Sequence, residues 1–363
     1  MKKGWEYRTL PEISENLDSL RKPVTKKNRT AGIYPYYGAS GIVDYVDDYL
    51  FDEDLLCISE DGANLLMRTY PIAFPISGKV WVNNHAHVLR FKDRATQKYV
   101  EYFFAGLKMD EYITGAAQPK LTQKALNNIV INIPMSIDEQ QSIVDYLDSA
   151  FAKIDMMKAN AEKALNEAKA LFQASLKEML EPKEGWVEKT LGEVCKELFS
   201  GGDAPKGNLA KEPTADYNIP IYANAAELNG LYGYTNYYRV NEPSVTIAAR
   251  GSGTGLVIKR KGAYLPIVRL IVAIPKSFLS VDYLYFVLQT ISIKSNGTAI
   301  PQLTVPVIRQ YRICYPQKMF EQQAIFTTLD SLKSKVDRLQ ANYDKISKEC
   351  DALKQAILRQ VFE

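Results

Sequence analysis

Apolar residues recur every seven positions through residues 319–362, a stretch that contains neither proline nor glycine. Two registers offset by four run through five heptads, a pattern that predicts a long helix with a coiled-coil seam. The same phase occurs 182 residues earlier, in a second seam that is richer in alanine. The residues assigned to the two seams are Ile143, Leu147, Ile154, Met157, Leu171, Ile325, Leu329, Leu332, Val336, Leu339, Ile346 and Leu353.

The repeat extends beyond the helices at nearly the same offset. Shared segments include a Gly-Trp pair near the start of each copy, a loop that ends in Leu-Thr, and a Glu-Gln-Gln run where each helix begins. These segments are Gly4-Trp5 and Gly185-Trp186, Gly115 to Thr122 and Gly297 to Thr304, and Glu139 to Gln141 and Glu321 to Gln323. The chain therefore contains two copies of one unit of roughly 180 residues.

Each copy predicts a globular part followed by a long helix, and a short hinge at 181–185 joins the first helix to the second globule. If the helices pair along their seams, they run antiparallel. The globules then lie at opposite ends of a rod on the order of 60 Å long, related by a pseudo-two-fold axis. The predicted domains are a globule at 1–136, a helix at 137–181, a globule at 182–317 and a helix at 318–363.

The globules themselves show short strand-like runs separated by turn signals such as Asp61-Gly62 and Ser77-Gly78. Each also contains one apolar helix, predicted at 97–108 in the first copy and at 281–291 in the second. The expected fold class is therefore α+β, with two mainly β domains separated by an antiparallel two-helix coiled coil.

Composition and motifs exclude several classes of protein. No apolar run approaches the roughly 18 residues of a membrane helix, and no signal-peptide core follows the start, so we expect a cytoplasmic protein. The four cysteines lack a C-x-x-C spacing, which favours neither disulfides nor a zinc site. Motifs for base methylation, dinucleotide binding, phosphate binding and serine hydrolysis are missing. We therefore predict no catalytic residue.

Charge offers only a limited guide to the partner. Residues 1–182 hold 22 Lys and Arg against 25 Asp and Glu, and the whole chain carries a net charge of +3. A nucleic-acid binder with this balance needs localised basic patches. The basic segment Arg21 to Arg29 lacks apolar periodicity, which predicts a loop.

A glycine-rich run, Gly251 to Gly255, resembles a phosphate cradle but lacks the Gly-Lys-Ser/Thr ending and a following helix. A β-turn or bulge is the simpler interpretation. Its basic flanks nevertheless favour contact with a DNA backbone or base edge. The corresponding loop of the first copy, Ser59 to Asn64, is acidic. Such a difference is expected of two domains that bind different DNA sequences.

Both histidines, His85 and His87, lie in one His-x-His motif, which a strand would place on one face. A structural polar cluster, a nucleic-acid contact and a metal site all remain open, but no third ligand is evident, so no metal residue is predicted. The residues predicted to contact DNA are Lys26, Lys27, Arg29, Asn64, Lys120, Lys124, Lys206, Arg250, Ser252, Thr254, Lys259 and Gln302.

The ordered set of motifs, appearing twice, resembles the specificity subunit of type I restriction-modification systems. The resemblance rests on the Gly-Trp openings, the Gly-x-x-x-Pro-x-Leu-Thr loops, and helices that open on Pro and Glu-Gln-Gln followed by Leu-Asp. It covers essentially the whole chain. One departure is Glu60-Asp61, which stands where the second copy has Arg250, although a carboxylate can accept a hydrogen bond from cytosine N4.

This resemblance implies a non-catalytic DNA-binding subunit with two target-recognition domains, each reading one half of a bipartite double-stranded site. The coiled coil would fix their spacing and dock two methyltransferase subunits, which restriction-translocase subunits would join. The resemblance places S-adenosylmethionine, ATP and magnesium on those partners, and no cofactor on this chain. Two alternative functions remain. One is a coiled-coil scaffold that presents two β-rich protein- or glycan-binding modules, and the other is a metal-dependent nuclease that uses His85, His87 and nearby carboxylates.

Overall fold

The computed structural model describes residues 4–115, 118–225, 227–249, 254–295 and 303–362, without the side chains of 291–295. The chain divides into two compact units. The first contains Met1–Ala161 and Asp344–Glu363, and the second contains Glu162–Tyr343. Each long helix therefore contributes residues to both units.

Among its described residues, the first unit contains ten strands, the start of one long helix and the end of the other. Strands β1 to β10 are Trp5–Thr9, Ser14–Asn16, Ala31–Gly38, Gly41–Val46, Phe51–Asp52, Leu55–Ser59, Ala73–Ile76, Lys79–Val82, Ala86–Phe91 and Val130–Pro134. Its sheets have the strand orders β2-β9-β6-β7 and β4-β3-β8-β5, and β1 pairs with β10. Helices α1 to α5 are Leu10–Ile13, Asn64–Met67, Arg94–Gly106, Gln123–Asn127 and Ile137–Met179.

The second unit repeats this plan with nine strands in the part of it that the structure describes. Its sheets have the orders β12-β18-β15-β16 and β14-β13-β17, and β11 pairs with β19. Strands β11 to β19 are Val187–Thr190, Cys195–Ser200, Ile219–Tyr222, Leu231–Thr235, Ser244–Ile247, Val257–Arg260, Leu265–Pro266, Ile271–Pro275 and Arg312–Tyr315. Helices α6 to α9 are Leu191–Val194, Val281–Ser295, Val305–Arg309 and Met319–Phe362.

The same local chemistry starts both units. Thr9 and Glu12 form a capping box at the start of α1, with Glu12 Oε2 2.7 Å from the Thr9 backbone nitrogen. Thr190 and Glu193 form the same box at α6, again at 2.7 Å. Each box satisfies backbone donors that the first turn of a helix leaves free. The repeated Thr-Leu-x-Glu sequence is therefore explained by helix capping.

The core helix of each unit is also fixed in the same way. Tyr99 of α3 and Tyr283 of α7 are fully buried and donate their hydroxyls to the backbone oxygens of Asn132 and Cys314, at 2.7 and 2.8 Å. Each bond joins the core helix to the strand that precedes a long helix. Burial of an aromatic ring together with a satisfied hydroxyl gives a stable and well-oriented contact.

The Glu-Gln-Gln motif has a structural role as well. Gln140 and Gln322 are buried and donate to the backbone oxygens of Pro134 and Pro316, at 2.7 and 2.8 Å. These bonds set the direction in which each long helix leaves its β-strand. Leu329 on α9 is fully buried in the core of the second unit, so the helices are anchored in the globular parts.

Within each unit the two long helices run antiparallel. In the first unit, Lys354 lies 2.5 Å from Asp155 and Lys158 lies 3.4 Å from Asp351, so the contacts descend along α9 as they ascend along α5. In the second unit, Lys169 donates to Gln340 at 2.7 Å. The predicted α+β class, with two mainly β domains and paired long helices, is confirmed. None of the described helices has the length and apolar character needed to span a membrane.

The seam differs from its sequence-based assignment at three positions. Met157, Leu171 and Leu353 are exposed by 59%, 59% and 48%, so they do not contribute to the buried face. Inward positions on α5 are taken instead by Leu165 and Phe172, one residue further along than the assigned register. A straight helix has 3.6 residues per turn and drifts relative to a strict heptad, so the buried face moves off the assigned residues. The assigned residues at the inner face are Ile143, Leu147, Ile154, Ile325, Leu329, Leu332, Val336, Leu339 and Ile346, which are buried or half-buried.

Candidate nucleic-acid interface

Three loops of the first unit are tied together by backbone hydrogen bonds, and we call residues 59–64, 83–86 and 118–121 the loop cluster. The Glu60 nitrogen donates to the His85 oxygen at 2.9 Å, and the Leu121 nitrogen donates to the Glu60 oxygen at 2.7 Å. The Gly62 nitrogen donates to the Pro119 oxygen at 3.0 Å. Loops held in this way present side chains in fixed positions, as a recognition surface requires.

A network of buried charges lies beneath the loop cluster. The buried His87 ring places Nδ1 2.6 Å from Asp18 and Nε2 2.8 Å from the backbone oxygen of Leu121. Arg21 contacts Glu60 at 2.6 Å and Asp18 at 3.3 Å. These bonds connect the loop cluster to β9 and to the short helix Asp18–Leu20. The network is therefore a structural support for the loops.

Two carboxylates of this network are held in the charged form. Burial by itself would raise the pKa of Asp18, but the hydrogen bond and charge of His87, together with Arg21, hold that pKa below its ordinary value. Burial likewise opposes ionisation of Glu60, yet hydrogen bonds from Arg21 and Lys120 lower the pKa of Glu60. Favourable pairing thus outweighs desolvation at both positions.

The same network bears on the metal interpretation of the histidines. Asp18, Glu60 and His87 offer ligand atoms within 4.8 Å of one another, which is close enough to surround an ion. Arg21 and Lys120 already neutralise these carboxylates, and both His87 nitrogens face hydrogen-bond acceptors. The geometry fits an ion-pair network, the structural polar cluster that the sequence left open.

The second histidine of the motif has a different environment. His85 Nδ1 lies 3.0 and 2.8 Å from the two carboxylate oxygens of Asp61, and the His85 side chain is 48% exposed. His85 and His87 therefore do not share one metal-binding face. One ring is buried as a support, and the other projects from the loop cluster.

The residues predicted to contact DNA in the first unit fall into two groups. Lys26 and Lys27 are exposed on a short helical turn, and Lys124 is exposed on α4. Other predicted residues are already engaged within the protein. Arg29 bonds to Asp44 at 2.9 Å and stacks on Tyr36, Asn64 bonds to the Tyr70 backbone at 2.8 and 3.0 Å, and Lys120 pairs with Glu60 at 3.0 Å.

The residues of the second unit that were predicted to contact DNA differ in their exposure and in their contacts. Lys206 is exposed in a loop. Lys259 pairs with Asp282 at 2.9 Å and lies over the Phe326 ring, so it is directed at the helices. Thr254 is half-buried in a turn. The remaining predicted residues, Arg250, Ser252 and Gln302, lie outside the described part of the chain.

A candidate that the sequence did not suggest is a turn between β17 and β18. Val268 and Arg269 both have left-handed backbones, with φ of 50° and 61°, and both are exposed. Such a conformation is unfavourable for a β-branched residue, and strained turns cluster at functional sites. The turn is fixed by Asn224, whose amide donates to the Val268 oxygen at 2.7 Å and accepts from the Ala249 nitrogen at 2.9 Å. Arg269 is therefore added to the candidate interface.

The sequence of the chain matches one family over most of its length. The profile of a family described as "Type I restriction modification DNA specificity domain" matches residues 2–167 and again residues 183–348. The two matches correspond to the two copies of the internal repeat.

Individual relatives agree with this match. A putative type I specificity subunit of Mycoplasma pneumoniae is 26% identical over 322 residues, which cover 86% of this chain and 84% of that protein. A putative type I restriction enzyme specificity subunit of Haemophilus influenzae is 34% identical over 147 residues, covering 40% of this chain and 37% of that protein.

Solved structures share the fold. A structure described under complex assembly and conformational transition of the type I R-M system has a TM-score of 0.75 and 16% identity, covering 100% of this chain and 98% of that one. The HsdS subunit from Thermoanaerobacter tengcongensis has a TM-score of 0.58 and 16% identity, covering 100% of this chain and 97% of that one. With the family matched in both halves of the sequence, the chain belongs to the type I restriction-modification DNA specificity family and is a specificity subunit with two target-recognition domains.

Proposed function

We propose that each unit reads one half of a bipartite double-stranded DNA site, that the paired helices set the spacing of the half-sites, and that methyltransferase subunits dock on those helices. The observation that carries the proposal is a repeated scaffold with differing loops. The capping boxes, core tyrosines and helix-start glutamines are the same in both units. Loops that differ on a shared scaffold are suited to reading two different sequences.

The proposal assigns no catalytic step to this chain. Methyl transfer, DNA translocation and cleavage would belong to methyltransferase and restriction subunits, together with S-adenosylmethionine, ATP and magnesium. The sequence supports this division, because it contains no motif for methylating a base amino group and no Walker sequence. The role of this chain is then to decide where the partners act.

The modest net charge supports dependence on those partners for tight binding. A net charge of +3 offers limited nonspecific attraction to DNA, because phosphate contacts supply most of that attraction. The methyltransferase subunits would therefore add both contact area and charge. Nanomolar binding of the isolated chain at physiological salt would contradict this part of the proposal.

Copurification tests the assignment directly. The chain, tagged and expressed with the methyltransferase subunit of the same host, should purify with it as one complex that methylates DNA in the presence of S-adenosylmethionine. A chain that purifies alone, or a complex without methylating activity, would refute the proposal. Metal analysis of the purified chain would test the nuclease alternative.

A further inference from the structure

We propose that His85, oriented by Asp61, contacts a base edge through Nε2 in the half-site read by the first unit. The inference rests on the proposed function, because it assumes that this unit binds DNA. It makes His85 a specificity-determining residue of the first unit. The two histidines of the His-x-His motif differ in environment, because the His87 side chain is buried and the His85 side chain is exposed.

His85 and Asp61 form a hydrogen-bonded pair. Nδ1 of His85 lies within hydrogen-bond distance of both Asp61 carboxylate oxygens, at 3.0 and 2.8 Å. The Asp61 side chain is only 15% exposed, while the His85 side chain is 48% exposed. The carboxylate is therefore mostly shielded by protein and is occupied by the ring, and the ring is the part of the pair that an incoming ligand would meet.

The backbone on both sides of the pair is fixed. The His85 nitrogen donates to the Asn83 side chain at 2.8 Å, and the His85 oxygen accepts from the Glu60 nitrogen at 2.9 Å. Asp61 forms a β-bridge with Lys120, whose side chain is 48% exposed. A ring held at its backbone and at Nδ1 loses little conformational entropy on binding, which favours specific recognition.

Nε2 is the ring atom through which His85 would recognise a base. The carboxylate accepts from Nδ1–H, so Nε2 is the ring atom that meets the ligand, and no described residue forms a hydrogen bond with it. A neutral ring would accept from the exocyclic amino group of adenine or cytosine, and a protonated ring would donate to guanine O6 or N7. Either bond discriminates among base pairs in the major groove.

His87 shows what a purely structural histidine looks like in this unit. Its side chain is 1% exposed, and both ring nitrogens are occupied, one by Asp18 and the other by the Leu121 backbone. Both histidines bind a carboxylate through Nδ1, but His85 is 48% exposed and its second nitrogen has no hydrogen-bond partner among the described residues. A structural role accounts for both contacts of the His87 ring. It does not account for the exposed part of the His85 ring.

The test uses the complex of this chain with its methyltransferase subunits. The DNA is a duplex that carries the sequence that this complex methylates. Binding is measured by fluorescence anisotropy for that duplex, for single base-pair variants of each half-site, and for a scrambled duplex. The protein variants are His85→Ala, His85→Gln and Asp61→Asn. Glu15→Gln is the matched control, because it breaks an exposed ion pair with Arg90 in the same unit, 2.8 Å long, outside the loop cluster.

We expect His85→Ala to bind the correct site about 10-fold more weakly and to lose discrimination at one base pair of one half-site. Binding of the scrambled duplex should not change. Glutamine can place an amide near the position of Nε2, so His85→Gln should retain more discrimination than alanine. Asp61→Asn should weaken discrimination at the same base pair, because Asp61 positions the ring.

Equal weakening on the correct and scrambled duplexes, or unchanged discrimination at every base pair, would overturn the inference. A melting temperature within about 2 °C of wild type shows that the variants are folded. Failure of the wild-type complex to distinguish the site from the scrambled duplex would instead refute the proposed function. The two failures are therefore distinguishable.

Discussion

Replacing Asp18 by alanine should destabilise the first unit strongly, because this side chain supports the loop cluster from beneath. Its carboxylate accepts from the Val88 backbone nitrogen at 2.9 Å and lies 2.6 Å from His87 Nδ1. The side chain is 7% exposed, so water cannot replace these bonds without rearrangement. Removing it leaves the Val88 donor and His87 Nδ1 without this partner, while Arg21 keeps its contact with Glu60.

The expected cost follows from that burial. Breaking a buried ion pair by removing one partner costs about 3–5 kcal/mol, whereas an exposed pair contributes roughly 0–1 kcal/mol. We therefore expect Asp18→Ala to lower the free energy of unfolding by about 3 kcal/mol. Asp18→Asn keeps an acceptor for Val88 and should cost less. Glu15→Gln, at a side chain that is 62% exposed, should cost under about 1 kcal/mol.

Amide hydrogen exchange is the suitable assay, because the two units need not unfold together. The Val88 amide donates directly to Asp18, so its protection reports on the hydrogen bond that the substitution removes. Faster exchange through β9 in Asp18→Ala, with β11 and β19 of the second unit unchanged, is the expected result. A free energy of opening within about 1 kcal/mol of wild type would refute the argument that this network supports the loops.

The contribution of Asp18 to the stability of the first unit should also depend on pH. The pKa of Asp18 is lowered from its ordinary 3.8, so the folded state holds its proton less tightly than the unfolded state. The resulting stability is present above that value and is lost as the pH falls through the lowered pKa. The difference in the free energy of unfolding between wild type and Asp18→Ala should therefore be largest near neutral pH and should decrease below pH 3.8. A difference that grows on acidification would contradict the assignment.

Three further predictions concern the helices and the interface. Leu329→Asp places a charge at a fully buried site and should cost about 4 kcal/mol or more, whereas Leu353→Asp, at a residue 48% exposed, should cost under about 0.5 kcal/mol in urea unfolding. Equal costs would show that the buried face is misassigned. Replacing Lys26 and Lys27 by glutamine should reduce the salt dependence of DNA binding by about one unit of slope for each phosphate that is no longer neutralised, and an unchanged slope would remove both from the interface. Arg269→Ala should weaken binding of the correct site roughly 10-fold without disrupting assembly with the methyltransferase, and equal binding would show that the strained turn faces elsewhere.

The repeat carried most of the fold information in the sequence. Two copies of the same capping and glutamine motifs had to form two copies of the same scaffold, and the core helix predicted at 97–108 is found as Arg94–Gly106. Heptad spacing predicted that the long helices pair, the short hinge predicted that they run antiparallel, and the assigned seam failed only at Met157, Leu171 and Leu353. Because the buried face drifts from a strict heptad register, Leu171 is exposed while the next residue, Phe172, is buried.

The candidate interface was harder to predict from sequence than the fold, because its contacts join distant parts of the chain. Asp61 and His85 are 24 residues apart, and only the pairing of β6 with β9 and the closure of the loops bring them together. Lys259 was selected for its charge, yet the register of β15 and β16 directs it to Asp282. The left-handed backbone of Val268 could not be predicted from sequence, because a β-branched side chain favours extended backbone.

Sequencing of methylated bases tests the central claim most directly. The genome of a host that contains the methyltransferase is compared with and without this chain. The account predicts one bipartite motif, with two specific half-sites and a fixed unspecific spacer, that is methylated only when the chain is present. Methylation that does not depend on the chain, or a chain-dependent motif that is continuous and undivided, would contradict it.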